Sequence, residues 1–180
     1  MSKWPFAKPV QSEPQGYPDG AFDDSAQAHI NACAELAKNQ QASVYFMLRD
    51  HGRKWQQKTL PSTISFGTLG ECFKNAALLA MEHPELTYVE GFATCVIPMH
   101  HAWCVDPDGN VVDSTWRTLG TSYFGIPMST DYVRETALRT GLYSVFFNMR
   151  NRELIYTPIE KLHSYDFPIT SQSSDFGELL

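Results

Sequence analysis

The chain lacks a basic excess. Its 14 Lys and Arg stand against 20 Asp and Glu in 180 residues, a formal net charge of −6. The cations are scattered, with only short clusters such as Arg49, Arg53 and Lys54. The electrostatic footprint that nucleic-acid binding requires is missing. No apolar run approaches the roughly 20 residues that span a bilayer. The N-terminal MSKWPFAKPVQSEPQ has no apolar signal-peptide core. Cysteine is sparse, at four, and no C-x-x-C pair occurs. That spacing removes zinc ribbons and thioredoxin-like motifs. Internal repeats are absent. The expectation is a cytoplasmic protein with no nucleic-acid or membrane partner. In a reducing compartment Cys33, Cys72, Cys95 and Cys104 stay free thiols.

What is present is an ordinary globular composition, 43% hydrophobic and 13% aromatic. The length suits one domain with a proper core. Residues 1–22 carry Pro5, Pro9, Pro14, Pro18, Gly16 and Gly20 and read as an extended arm. Its Trp4, Phe6 and Tyr17 suit packing against the domain. Residues 23–168 form the domain, and 169–180 a flexible tail. Within the domain, a helix is expected over 24–39, with Ala26, Ile30, Cys33, Ala34 and Ala37 at helical spacing. Residues 43–48 fit a strand or a helix, and 50–63 a polar loop. A second helix over 69–83 is apolar almost all round, which makes it central. Strands follow at 87–97, 100–106 and 110–116. A helix starts near Ser129 or Thr130 and ends before Gly141. Residues 143–149 and 153–157 read as strands or core segments, and Pro158 opens a helical turn to Leu162. This order predicts an α+β fold, with a central helix packed on an antiparallel sheet.

Cys72 opens the central helix. Thr68 and Glu71 make a capping-box pattern that puts Cys72 in the first turn, and Gly70 is a competing start that leaves Cys72 even closer to the helix end. Unpaired N–H groups and the helix dipole favour an anion there, and the anion is the reactive form of a thiol. The Cys72 N–H is also placed to meet a developing oxyanion. A nucleophile needs a base, and the base an orienting group. Asp106-Pro107-Asp108-Gly109-Asn110 suits a type I turn followed by a left-handed glycine, so Asp106 pairs with Asn110. Counting outward, Cys104 faces Val112, Trp103 faces Asp113 and His101 faces Thr115. His101 and Asp113 are then diagonal neighbours on one face, within side-chain reach, and His100 points the other way. Cys72 as nucleophile, His101 as base and Asp113 as its orienting carboxylate form a candidate triad. Asn75, Gln56 and Gln57 are equal candidates for a second oxyanion donor.

GECFKNA around Cys72, HAW with His101 and VVDSTW with Asp113 resemble the transglutaminase-like branch of the papain-like cysteine enzymes. YVEGF and YFGIPM also fit its small bacterial and phage members, and the resemblance covers about residues 66–130. It implies a helix-on-sheet core and thiol acyl chemistry without a cofactor. The implied substrate is a peptide, protein or small-molecule amide, passing through a thioester. Phe73-Lys74 departs from the usual pattern, and the large flanking domains of calcium-regulated transglutaminases are missing, so calcium dependence is not carried over. The arginine-glycine lead-in of arylamine acetyl-transfer enzymes is also absent.

Two other readings compete. One is an inactive binding module that keeps the fold. The other is a zinc site from His100, His101, Cys104 and Asp113, against which the strand parity argues. His100 is read as a surface or supporting residue, Trp103 and Trp116 as shields against water, and Cys33, Cys95 and Cys104 as core thiols. Gly91, Gly125 and Pro127 are read as turn formers.

Overall fold

The computed structural model describes residues 23–39, 43–163 and 167. The arm expected over 1–22 and the tail over 169–180 lie outside the described residues. The elements run α1 (Ser25–Leu36), α2 (Val44–His51), β1 (Arg53–Lys54), α3 (Cys72–Glu82), β2 (Thr87–Thr94), β3 (Pro98–Val105), β4 (Val111–Val112), β5 (Ser122–Met128), α4 (Thr130–Thr140), a 3-10 turn (Leu154–Tyr156) and α5 (Ile159–Leu162). The fold is mixed α+β. One five-stranded sheet has the order β1-β5-β2-β3-β4, and every adjacent pair is antiparallel. No helix of the described residues is long and apolar enough to cross a membrane.

Both faces of the sheet are covered, which explains why β2 is buried along its whole length. On one face Tyr88, Phe92, Ala102, Cys104, Phe124 and Ile126 pack with α1 and α3. α1 presents Ala26, Ile30 and Ala34 from one stripe. α3 presents Ala76, Ala77 and Ala80, small residues that let the helix sit close to the sheet. The Cys104 thiol reaches the Ala76 carbonyl oxygen at 3.2 Å. The opposite face carries a smaller, more aromatic cluster with Trp55, Val89, Trp103, Val111, Tyr123 and Phe167.

Of the two readings open for residues 43–48, the structure has the helix, as a separate element, because Ser43 caps α2 by accepting from the Tyr45 N–H at 3.3 Å. Other expectations are corrected. The expected polar loop contains β1 and the buried Trp55, whose Nε1 donates to the Gly125 carbonyl at 3.2 Å. A two-residue strand leaves no period to read. Gly91, Gly125 and Pro127 sit inside strands rather than turns. Gly91 and Gly125 face each other across β2 and β5. A Cβ on Gly91 would lie 2.2 Å from the Phe124 carbonyl oxygen, and one on Gly125 would lie 2.6 Å from that of Glu90. Pro127 lies beyond β1, where β5 has a strand neighbour on one side only.

Residues 143–149 and 153–157 form turns and a 3-10 turn rather than strands, although Val145, Phe146 and Leu154 are core. Glu90 anchors the first of these segments from β2. Its buried carboxylate accepts from Tyr88 OH, Ser144 OH and the N–H groups of Val145 and Phe146, at 2.7–2.9 Å. Burial raises the Glu90 carboxyl above its usual value, and these hydrogen bonds work against that rise.

Candidate active site

The β3–β4 hairpin sets the site. The Asp106 N–H donates to the Asn110 carbonyl and the Gly109 N–H to that of Asp106, both at 2.9 Å. Gly109 has φ +81°, the left-handed glycine expected from the sequence. Cys104 pairs with Val112 and Val105 with Val111, as counted outward from the turn. The strand then stops earlier than expected. β4 is only two residues long, so Asp113 lies just past its end and residues 113–116 leave the ladder.

That early stop leaves the β3 edge at His101 without a strand, and the first turn of α3 meets it there. The expected capping box is not formed. Glu71 is the N-cap, makes no side-chain cap bond, and pairs with Lys74 at 3.0 Å instead. Gly70, at φ +85°, turns the chain just before it. Cys72 is therefore the first helical residue, and its N–H is among those without an intrahelical acceptor. The lead-in is tied to the segment after β4. The Gly67 N–H donates to Ser114 O at 2.8 Å. Asn75 Nδ2 donates to Thr68 O at 2.8 Å and Thr115 Oγ1 at 2.9 Å. A Cβ on Gly67 would come within 2.4 Å of Asn75 Oδ1, so a side chain there would displace the Asn75 amide from Thr68 and Thr115.

His101 is 1% exposed. Its Nε2 lies 2.7 Å from Asp113 Oδ2. The Cys72 thiol, at the start of α3, also acts on the ring. Burial pulls the imidazole pKa down, but the bonds and charges of Asp113 and Cys72 prevail and raise it to about 9. Trp116 stacks on the ring, 3.9 Å between centroids. Asp113 is held from all sides. Its Oδ2 also accepts from Tyr123 OH at 3.1 Å, and its Oδ1 from the N–H groups of Thr115 at 2.8 Å and Trp116 at 3.2 Å. Burial, then the Asp113 charge, keep the Tyr123 phenol well above its usual pKa, so it serves as a donor.

His101 and Asp113 are thus hydrogen-bonded, and Cys72 acts on the same imidazole from the start of α3. No family model, curated protein or solved structure matches this chain. The chemistry must be argued from the side chains themselves.

Other expected residues fall elsewhere. His100 is half-buried on the helix face, where it stacks on Phe147 and meets Phe92 edge-on. Burial and the nearby His29 push it down to about 4. Cys104 is sealed in the core, and burial pushes its thiol far up. Cys33 and Cys95 are only part-buried, not core. Cys33 lies 3.5 Å from His29 Nε2. Among the described residues no three His, Cys, Asp or Glu side chains are placed to hold a metal ion.

Trp116 covers the site as expected, while Trp103 is fully buried beneath it. Of the three candidate amides, Asn75 has committed its Nδ2, and Gln56 is exposed with its backbone bonded to Gly109 and Val111. Gln57 Nε2 is buried and has no hydrogen-bond partner among the described residues. From the sequence Tyr88 and Tyr123 read as aromatic core in preference to groove-lining residues; both are buried, and Tyr123 is in addition a donor to Asp113, which no local pattern shows because β5 has no readable strand signal. It stands two residues before Gly125, on the face where Trp103 packs.

Proposed function

We propose that the protein is a cysteine-dependent amide hydrolase or acyl transferase with a transglutaminase-like, papain-like core. The observation that carries this reading is the buried His101–Asp113 hydrogen bond, with Cys72 at the start of α3 acting on the same ring, which together raise the imidazole pKa to about 9. An imidazole in that state is protonated at neutral pH and stabilises a sulfur anion beside it. Cys72 Sγ attacks the carbonyl carbon of the amide. The Cys72 N–H and the uncommitted Gln57 amide are the candidate donors to the oxyanion. His101 passes its proton to the leaving nitrogen, the C–N bond breaks, and a thioester remains on Cys72. Water or an amine then attacks the thioester. His101 takes the proton of that nucleophile, and the sulfur departs. Asp113 holds the ring orientation and stabilises the imidazolium throughout.

A second reading, a binding module without turnover, draws on one observation. Cys72 is 8% exposed, so substrate reaches the thiol through a narrow approach. Alkylation with iodoacetamide at pH 6, mapped by mass spectrometry, separates the two. The enzyme reading expects Cys72 to be modified before the more exposed Cys33 and Cys95, and expects this preference to vanish in His101→Ala. Modification of Cys33 or Cys95 first, indifferent to His101, rejects it.

A further inference from the structure

β3 is paired along its whole length with β2, but on its other side β4 reaches only Cys104 and Val105. Among the described residues no strand pairs with the outer edge of β3 from Pro98 to Trp103. In an antiparallel ladder the outward N–H and C=O groups fall on alternate residues. The Asp106 N–H bonds to the Asn110 carbonyl, so Cys104, Ala102 and His100 also turn their backbone groups outward. This edge runs into the thiol site, since His101 follows His100 directly.

The approaches to the site are apolar. Val96, Ile97 and Met99, at the β2–β3 turn and the start of β3, are 88%, 61% and 43% exposed. Met99 stands two residues before His101 and so on the same face of the strand. Leu69, 75% exposed, stands three residues before Cys72, and Phe66 is 39% exposed with Arg117 over its ring. Five large apolar side chains in water on both lead-ins to one site mark a contact surface.

We infer that the site acts on an extended polypeptide segment with apolar side chains beside the reacting amide, added as a strand to the β3 edge at residues 98–100. This rests on the reading of Cys72 as nucleophile. At this edge the outward groups are the His100 N–H and the carbonyls of His100 and Pro98, which has no N–H to offer; a second main chain satisfies them and a small apolar molecule does not. Alternation along the added strand turns every second side chain onto the face that carries Met99, next to the exposed Val96 and Ile97 of the turn.

The test uses blocked tetrapeptide chloromethyl ketones on the full chain, with iodoacetamide as a reference free of peptide contacts. In each reaction the sulfur–carbon bond forms and the halide leaves. A Leu/Phe peptide is expected to label Cys72 at least about tenfold faster, relative to iodoacetamide, than an Asp peptide of equal length. N-methylating its backbone amides is expected to remove most of that advantage. Ile97→Glu and Leu69→Glu are each expected to lower the peptide-to-iodoacetamide ratio several-fold. Equal rates for the Leu/Phe and Asp peptides overturn the apolar selection. Full rates for the N-methylated peptide overturn strand addition. A peptide rate constant that falls as protein concentration rises assigns the surface to a second copy of this chain, and also overturns it. Failure of iodoacetamide itself to modify Cys72 removes the thiol reading, and the substrate inference with it, by a separate readout.

Discussion

His100 and His101 share a peptide bond and little else. One points to the helix face of the sheet and the other to the aromatic face. On the helix face His100 meets Phe92 and Phe147, and burial, with the charge of His29, holds it down to about 4. On the other face His101 is more deeply buried, yet it is raised to about 9. Burial opposes the proton in both. The opposite outcomes come from what else each face supplies: a second imidazole for one, a carboxylate and a thiol for the other. The difference teaches that a proton site here is built by strand parity, and that residue type alone does not create it.

The sharpest way to break this comparison is to remove each ring in turn. His101→Ala is expected to slow acylation or alkylation of Cys72 by roughly 10²–10⁴-fold, the usual worth of a positioned acid–base group. His100→Ala is expected to leave the rate near that of the unaltered protein. Stopped-flow labelling of both variants checks this. Similar losses in both would mean that the two faces do not differ in function.

The next effect is on stability against pH. The pKa of His101 is higher folded than unfolded, so its stabilising contribution is complete below about pH 6.5 and is lost as pH rises through about 9. The span corresponds to about 3 kcal/mol. His100 has the opposite sign. Its folded pKa is depressed, so the stability linked to it is present above about pH 6.5 and falls away as pH drops toward 4. Urea unfolding between pH 4 and 10 is expected to give a plateau between these two declines. His101→Gln removes the alkaline decline alone. The two histidine midpoints, read by NMR, are expected near 4 and 9.

Asp113→Asn keeps the shape of the orienting group and removes its charge. Turnover is expected to fall by roughly tenfold to a hundredfold, less than for His101→Ala, equivalent to about 1.4–2.7 kcal/mol. The His101 midpoint moves down from about 9, because the first two influences that raise it are the Asp113 and Cys72 bonds and one of them is weakened. An unmoved midpoint would assign the raised value to Cys72 alone.

How much of this was legible in the sequence follows from the range of each interaction. The hairpin register was readable because the chemistry of Asp106, Pro107 and Gly109 is local, but it holds only to Val112; the expected pairs Trp103–Asp113 and His101–Thr115 are not formed, and Asp113 meets His101 from just past the end of β4. The start of α3 was misread by position. Gly70 takes a left-handed conformation, and Asn75 uses the Thr68 carbonyl, neither of which a capping pattern reveals. The result nevertheless put Cys72 closer to the helix end than the pattern required. β5 was not readable, because Gly125 and Pro127 look like breakers when the contacts that call for them come from distant strands. Tyr123 is legible as a core aromatic, but without that strand its bond to Asp113 is not.

The smallest expected effect concerns the turn that fixes the parity. Gly109 has φ +81°, and a Cβ placed there would find its nearest neighbours, ring carbons of Trp55, at 3.9 Å. That is ordinary contact, so Gly109→Ala carries no steric clash. What remains is the backbone cost of a left-handed alanine, about 1 kcal/mol. In a chain of this size that lowers Tm by roughly 2–4 °C. The register should survive, because the Asp106 carboxylate independently holds the N–H groups of Asp108 at 3.1 Å and Asn110 at 2.9 Å. Cys72 labelling is therefore expected to match the unaltered protein while calorimetry records the drop. If labelling collapsed with so small a loss of stability, the turn would be setting the face of His101 only marginally. The contrast between the two histidines would then depend on a single glycine rather than on the whole hairpin.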